Sequence, residues 1–311
     1  MLTPADHALF EFARGHDSVF TLADAAKAGL SREQTRARAA HLWERIHDGV
    51  FRIPGAAPTR TSALRAAIWA AGEGAAISHR SAAARYEIPG RRDDLVELTC
   101  RRWLRAVRAG LVVHESRRLD DRDIQLLDGI PFTTPERTIL DLASQFPRAS
   151  YLEFVIQAAR RKRLITYGST KEMFDRHARR GLKGVSALRE ALERWDPESR
   201  PTESEMETLL LQTLRKNDLP APVVQFEVRG SGHALVARTD AAYPSARIAI
   251  EYDSRQEHSD EFQLERDAQR RNRLQAAGYS VLSARHHDLK SGGAEICHQI
   301  RAIMRRSTEP A

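Results

Sequence analysis

The segment ARIAIEYD, residues 246–253, puts two carboxylates on one side of a strand-like run. Side chains two apart on a strand share a face. Ile248, Ile250 and Tyr252 therefore read as a packed apolar face, with Glu251 and Asp253 on its reverse beside Ala249. Another acid, Asp240, precedes the Pro244–Ser245 turn on the preceding strand, and a hairpin there brings it toward Glu251. Carboxylates gathered at one end of a half-buried sheet repel one another, and an unpartnered buried charge costs several kcal/mol. A divalent cation removes that repulsion, and an all-oxygen donor set suits Mg²⁺ or Mn²⁺. Such an ion activates water and stabilises a pentavalent phosphate and its leaving oxygen. His258, in SRQEHSDEF, follows closely enough to transfer a proton or position that water. Asp240, Glu251, Asp253 and His258 are the candidate catalytic residues, with Asp240 and Glu251 as metal ligands. Taken singly, an acid on a strand usually faces solvent and a histidine near a turn usually does nothing; the grouping carries the reading.

The flanking segments supply the frame. ESEMETLLLQTLRKNDL reads as a helix with Leu210, Leu211 and Leu214 on its buried side and Glu205 near its start. QFEVR and HALVARTDAAYP read as strands. FQLERDAQRRNRLQAAG reads as a helix offering Arg266, Arg270, Arg271 and Arg273 to phosphate. GYSVLSA and EICHQIRAIMRR read as a last strand and helix. PESRPTES, residues 197–204, is the strongest boundary in the chain, a Pro- and Ser-containing linker.

At the other end, Thr21 suits the N-cap of a helix over Leu22–Ala28 with Gly29 as its stop. Ser31 opens SREQTRARAAHLWERI with Gln34 three residues on, the spacing of a capping box. That helix gathers Arg32, Thr35, Arg36 and Arg38, with Leu42 and Ile46 on an apolar side. Asp48–Gly49 marks a hairpin, and Pro54–Gly55 ends the unit. Two short helices followed by a hairpin make a winged helix-turn-helix, in which Arg32, Gln34, Arg36 and Arg38 are candidates for phosphates and base edges. The bland alternative is a small helical domain with a solvated charged face.

Between the ends, SALRAAIWAAGEGAAISHRSAAARYEIPG reads as mostly helical, broken at Gly72 and Gly74; LVELTC, LVVHES and GIPFTT read as strands; PERTILDLAS reads as a helix with Pro135 in its first turn. Residues from about Tyr151 to Trp195 read as a helical connector with basic clusters. His79 and Arg80 in SHRSAA tempt an active-site reading, but a hydrogen-bond network at a helix start is the simpler one. His114 and the pair His286–His287 read as DNA contacts or as water-facing.

The 311 residues are 41% hydrophobic and 29% charged, as in ordinary soluble proteins, with net charge +7, which favours polyanionic partners, nucleic acid first. Two cysteines, Cys100 and Cys297, make neither a disulfide framework nor a cysteine zinc site. No stretch approaches the roughly 20 apolar residues of a membrane span, and the N-terminal run lacks a signal-peptide core. A cytoplasmic protein is expected, with DNA and no membrane among its partners.

The run TESEMETLL, RTDAAYP, IAIEYD, His258 and RDAQRRNRLQAAGYSVL resembles the very-short-patch-repair-like (Vsr-like) endonuclease domains, a branch of the PD-(D/E)xK restriction-endonuclease-like superfamily, over residues 202 to about 300. FTLADAAKAGLSREQTRARAAHLWERIHDGVFRIPG is similar to the winged-helix domain of abortive-infection AbiEi-type antitoxins, and AISHRSAAARYEIPG and GIPFTTPERTILDLA resemble the segments that follow it there. The first resemblance implies Glu205 or Glu207, Asp240 and Glu251 as metal ligands, and His258, Asp267, Arg270 and Asn272 as matching motif positions. Asp253 stands where the superfamily has its lysine, so a lysine-based mechanism is not implied. Thr239 and Ala241 flank Asp240, Ser254 replaces a glycine and Ser283 replaces an arginine; these departures favour a slow or inactive nuclease, while the kept carboxylates favour an active one.

The expected architecture is an α/β multidomain chain. It has a winged helix-turn-helix over 1–55, an α/β middle domain over 56–148, a helical connector and linker over 149–200, and a restriction-endonuclease-like mixed sheet flanked by helices over 201–311. The expected function is a DNA-binding, Mg²⁺- or Mn²⁺-dependent endonuclease. The alternative is an antitoxin-like transcriptional repressor with a weak or inactive nuclease fold, for which a toxin partner or a homodimer is the expected company.

Overall fold

The computed structural model describes residues 2–91, 94–102, 110–179, 181–195, 204–229, 235–253 and 261–308, and for 205, 253, 261–267 and 308 only the main chain. The chain forms a mixed α/β structure that divides into two compact units, Met1–Pro197 and Glu198–Ala311. The division falls inside the segment read as a linker, most of which lies outside the described residues.

In the first unit, α1 (Pro4–Arg14) starts at Thr3, whose hydroxyl accepts from the Asp6 amide while Asp6 accepts from the Thr3 amide. This reciprocal cap satisfies amides that no helical carbonyl can reach. There follow β1 (Val19–Thr21), α2 (Leu22–Lys27), α3 (Arg32–His41), β2 (Glu44–His47) and β3 (Val50–Arg52). The sheet runs β1-β3-β2, with both pairs antiparallel. Thr21 and Ser31 cap α2 and α3 as expected. Gly49, at φ 73°, supplies the left-handed turn residue of the β2–β3 hairpin. Leu9, Phe20, Leu30, Trp43 and Phe51 form the core under these elements. Trp43 meets Phe20 edge-on at 4.9 Å, the geometry that ring quadrupoles favour.

The expected apolar side of α3 is corrected. The helix stops at His41 and buries no residue, Leu42 is 43% exposed, and Ile46 lies on β2. The chain turns at Leu42, so Trp43 enters the core instead.

The same unit continues with α4 (Arg60–Ala71), β4 (Ala76–Ile77), α5 (His79–Tyr86), β5 (Val96–Cys100), β6 (Leu111–Glu115), β7 (Ile124–Leu127), β8 (Ile130–Thr133), α6 (Pro135–Gln145), α7 (Ala149–Arg161), α8 (Tyr167–His177) and α9 (Val185–Glu193). The sheet order is β6-β5-β4-β8-β7, with β4–β8 and β5–β6 parallel and β4–β5 and β7–β8 antiparallel. Every residue of β5 is buried. Two strands of this sheet, β4 and β7, were not expected, and neither was β1; two or three residues, as in β4 and β1, are too few to show a periodicity. The run expected as a connector is core material: Leu152, Ile156, Met173, Phe174, Leu188 and Trp195 join the cluster that holds Ile77, Leu98 and Phe132. Each such side chain contributes about 1.5–3 kcal/mol on burial. Arg65 Nε on α4 reaches Asp17 Oδ2 at 2.6 Å, and Ala66 packs with Val19 and Val50, so the N-terminal elements share this unit.

The second unit contains α10 (Glu205–Lys216), β9 (Val223–Arg229), β10 (Leu235–Tyr243), β11 (Ile248–Asp253), α11 (Glu261–Ala276), β12 (Ser280–Arg285), α12 (His286–Lys290) and α13 (Ala294–Thr308). Its sheet runs β12-β11-β10-β9, antiparallel except for the parallel β11–β12 pair. Leu210, Leu214, Ile248, Ile250 and Ile300 form one core cluster, and Val228, Ala237, Ala249 and Leu274 a second. Helices therefore cover both faces of a sheet expected to be half-buried.

Candidate functional site

The acids of β10 and β11 are placed by register. In the β10–β11 ladder Ala241 faces Ile250, and one step further Asp240 stands across from Glu251, on the same face. The Tyr252 amide donates to Asp240 Oδ2 at 2.7 Å, which ties the two strands together where the ladder ends. Glu251 Oε1 lies 2.9 Å from Arg270 Nε on α11, and Arg270 Nη2 also donates to the Arg238 carbonyl. Glu251 faces Ser283 on β12, whose hydroxyl accepts from Arg271 Nη2 at 2.9 Å. Ser283, Glu251 and Asp240 thus form a row across three strands.

On the far side, the Gln225 side-chain amide donates to Glu207 Oε1. Glu207 is 4% exposed, and Gln225 sits in a left-handed conformation at φ 51°. Of the two acids near the start of α10, Glu207 is the one whose side chain is placed, and it points inward. For Glu205, Asp253 and Arg266 the described residues give the main chain alone, and His258 lies outside them. The carboxylates of Glu207, Asp240 and Glu251 are not gathered within 4.8 Å of one another, so the described acids line a row rather than a tight cage.

On α3, Arg32, Gln34 and Arg36 are exposed. Gln34 is partly engaged, since its side chain accepts from the Ser31 amide at 2.9 Å. Arg38 is engaged fully: Nε and Nη2 donate to Asp6 Oδ1 and Oδ2 at 2.6 and 2.8 Å. That guanidinium holds the Asp6 carboxyl well below the usual carboxylate range, against the opposing pull of burial.

A grouping that the sequence does not reveal lies in the first unit. One ring nitrogen of His79, one of His114 and one carboxylate oxygen of Glu97 lie within 4.8 Å of one another. Glu97, on β5, is 2% exposed. Its Oε2 accepts from the Gln145 side chain at 2.7 Å and lies 3.0 Å from His114 Nε2. Burial pushes its pKa up, but these partners outweigh burial, and the net shift is downward. His79 opens α5 with φ 50°, a conformation costly for a residue with a Cβ. Its ring stacks on His114 with centroids 3.5 Å apart, and its Nδ1 lies 2.8 Å from Ser78 Oγ. Burial pushes its pKa down to about 4, so the ring is neutral at pH 7. Both histidines line a cavity of about 390 Å³ with Arg118, Asp141, Arg179 and Lys183. No spacing rule joins His79, Glu97 and His114, because a helix start and two strands each supply one of them.

His286 and His287 are exposed, and His286 Nδ1 contacts Met206 Sδ. No helix among the described residues is long and apolar enough to cross a membrane.

No known family's model matches the sequence. Over 173 residues the chain is 30% identical to "Uncharacterized protein MT2308" of Mycobacterium tuberculosis (strain CDC 1551 / Oshkosh) and to "Uncharacterized protein Rv2248" of M. tuberculosis (strain ATCC 25618 / H37Rv). The match covers 56% of this chain and 60% of each relative.

Proposed function

We propose that the protein binds DNA through its N-terminal elements and hydrolyses phosphodiester bonds in its second unit with the help of Mg²⁺ or Mn²⁺. The observation that carries this reading is Asp240 opposite Glu251 on adjacent strands, with Arg270 against them from α11. Asp240 Oδ1 and Glu251 would hold the ion, and these hard oxygen donors fit Mg²⁺ or Mn²⁺. A bound ion would supply an activated water and charge stabilisation of the phosphate. The chain's own part is to orient. The Tyr252 amide fixes Asp240, and Arg270 is a short reach from a phosphate held at Glu251. Arg271 holds Ser283 at the edge of the row. On this reading the mixed sheet and its helices are a restriction-endonuclease-like domain of the Vsr-like kind, and residues 1–55 are a winged helix-turn-helix similar to those of AbiEi antitoxins. Arg32 and Arg36 are then the side chains free for phosphate.

A second reading rests on a specific contact. Glu251 is paired with Arg270, and the described carboxylates form no tight trio; both features suit a DNA-binding repressor with an inactive nuclease fold. A cleavage assay separates the two. With supercoiled DNA and Mn²⁺ or Mg²⁺, the parent protein is expected to nick or cut, EDTA to stop it, and Asp240→Ala and Glu251→Ala each to lower the rate at least about 100-fold, the loss typical of a group that stabilises the transition state. Variants that cut as fast as the parent would overturn the assignment, and no cleavage by any of them would favour the repressor.

A further inference from the structure

The polar core of the first unit takes no part in the proposed nuclease chemistry. Buried carboxylates persist only with partners. Here two imidazoles and a carboxylate, from α5, β5 and β6, each bring one ligand atom within 4.8 Å of the others, and a turn of one stacked ring would aim both lone pairs at one ion. Their nearest neighbours hold them in place. Gln145 donates to Glu97. Ser78 Oγ accepts from Thr99 Oγ1 at 2.8 Å and meets His79 Nδ1. The Glu97 amide donates to Ser81 Oγ at 2.9 Å. Hydrogen-bonded outer partners of this kind orient metal-binding histidines and fix which ring nitrogen keeps its lone pair. Two further observations point to a ligand. Asp141 lines the same cavity, is 6% exposed and is held by Arg137 through Oδ1, while its buried Oδ2 has no hydrogen-bond partner among the described residues. His79 is held in a left-handed backbone conformation, and strain of this sort accumulates where a side chain must be aimed.

We propose that His79, Glu97 and His114 form a binding site for a divalent transition ion, Zn²⁺ foremost, whose open position faces the cavity and takes an anionic group. Two imidazoles and one carboxylate are the donor set that leaves a four-coordinate zinc one position short. Imidazole donors favour zinc over Mg²⁺, which separates this site from the all-oxygen row of the second unit. The identity of the further ligand follows from the rim. Arg118, Arg179 and Lys183 line the cavity, are exposed, and have no ion-pair partner among the described residues. A phosphate or carboxylate bound to the ion would lie in the cavity that all three line.

The test uses the full chain carrying Asp240→Ala and Glu251→Ala, so that the acids of the second unit cannot hold the probe and the nuclease reading is not at stake. Titration with Co²⁺ is expected to give a visible absorption band that saturates at a single ion per chain and is displaced by Zn²⁺. His79→Ala and His114→Ala are each expected to weaken Zn²⁺ by more than the roughly 10–100-fold typical of losing an outer partner. Glu97→Gln, which keeps the shape of the side chain, should weaken it as well; circular dichroism checks that each variant is folded. Inorganic phosphate should shift the band, and less so in a Lys183→Ala, Arg179→Ala variant. No band in the parent, or equal Zn²⁺ affinity in the parent and a folded Glu97→Gln variant, would overturn the metal site. A band that phosphate leaves unmoved would overturn the anionic ligand.

Discussion

Asp123 shows how a single buried charge is kept. It is fully buried, and Arg137 Nη1, Arg176 Nη1 and His177 Nε2 approach its carboxylate at 2.8, 2.9 and 2.8 Å. Burial alone would raise its pKa; His177 and Arg137 overcome burial and hold it at about 2, against an ordinary 3.8. Between those values the unfolded chain binds more protons than the folded one, so this contribution to stability is complete above about pH 4 and is lost as pH falls toward 2. Asp123→Asn removes a counter-charge from the buried Arg137 and is expected to cost about 3 kcal/mol at pH 7. Urea unfolding at pH 7 and at pH 3 should show the gap between variant and parent narrowing in acid. A gap of equal size at both values would show that Asp123 is not a source of acid sensitivity. The polar residues around it have a common logic: Arg137 also pairs with Asp141, which lines the cavity beside His79. Asp240 and Glu251 follow a different one, since they sit half-buried within β10 and β11, where the ladder between those strands ends.

Among the elements, α9 owes its place to one glycine. Gly184 begins the helix at φ 85°, and a Cβ there would lie 2.1 Å from the Ala143 carbonyl oxygen at the end of α6. Neither the backbone angle nor the space admits a larger residue. Gly184→Ala is expected to cost at least about 2 kcal/mol, read as a lowered urea midpoint; a loss under about 0.5 kcal/mol would mean that α9 can seat elsewhere. The α3 surface behaves in the opposite way, because it buries nothing. Some boundaries of helices and hairpins were legible: Thr21, Ser31, Asp48–Gly49 and Pro135 each mark an end through a local cap or turn. Strand β4 was not, since two buried residues between glycines and a helix carry no period of their own. The burial of α7–α9 was also not legible. An amphipathic helix shows that it has an apolar face, and not which neighbour will cover it.

For the whole molecule, charge is the property that acts at a distance. The chain carries net charge +7, and Arg32 and Arg36 are exposed on α3. If the N-terminal elements hold DNA, affinity should fall linearly on a log–log plot against salt, with a slope of about −0.9 per phosphate contacted. Arg32→Ala with Arg36→Ala should make that slope less steep by about 2 and leave thermal stability unchanged. Anisotropy measurements over a salt series check this, and an unaltered slope would remove α3 from the interface. By itself the sequence marked strands β9–β12 and helices α10, α11 and α13 around Asp240 and Glu251, and it set the two acids on adjacent strands. Both properties follow from short-range rules: alternation along a strand, and a turn that folds one strand onto the next. Only the tertiary structure decided that Arg38 is taken by Asp6, that Arg270 leans on Glu251, and that His79, Glu97 and His114 meet. Those contacts join residues distant along the chain, and their partners are fixed by how packed layers align, which no local pattern encodes.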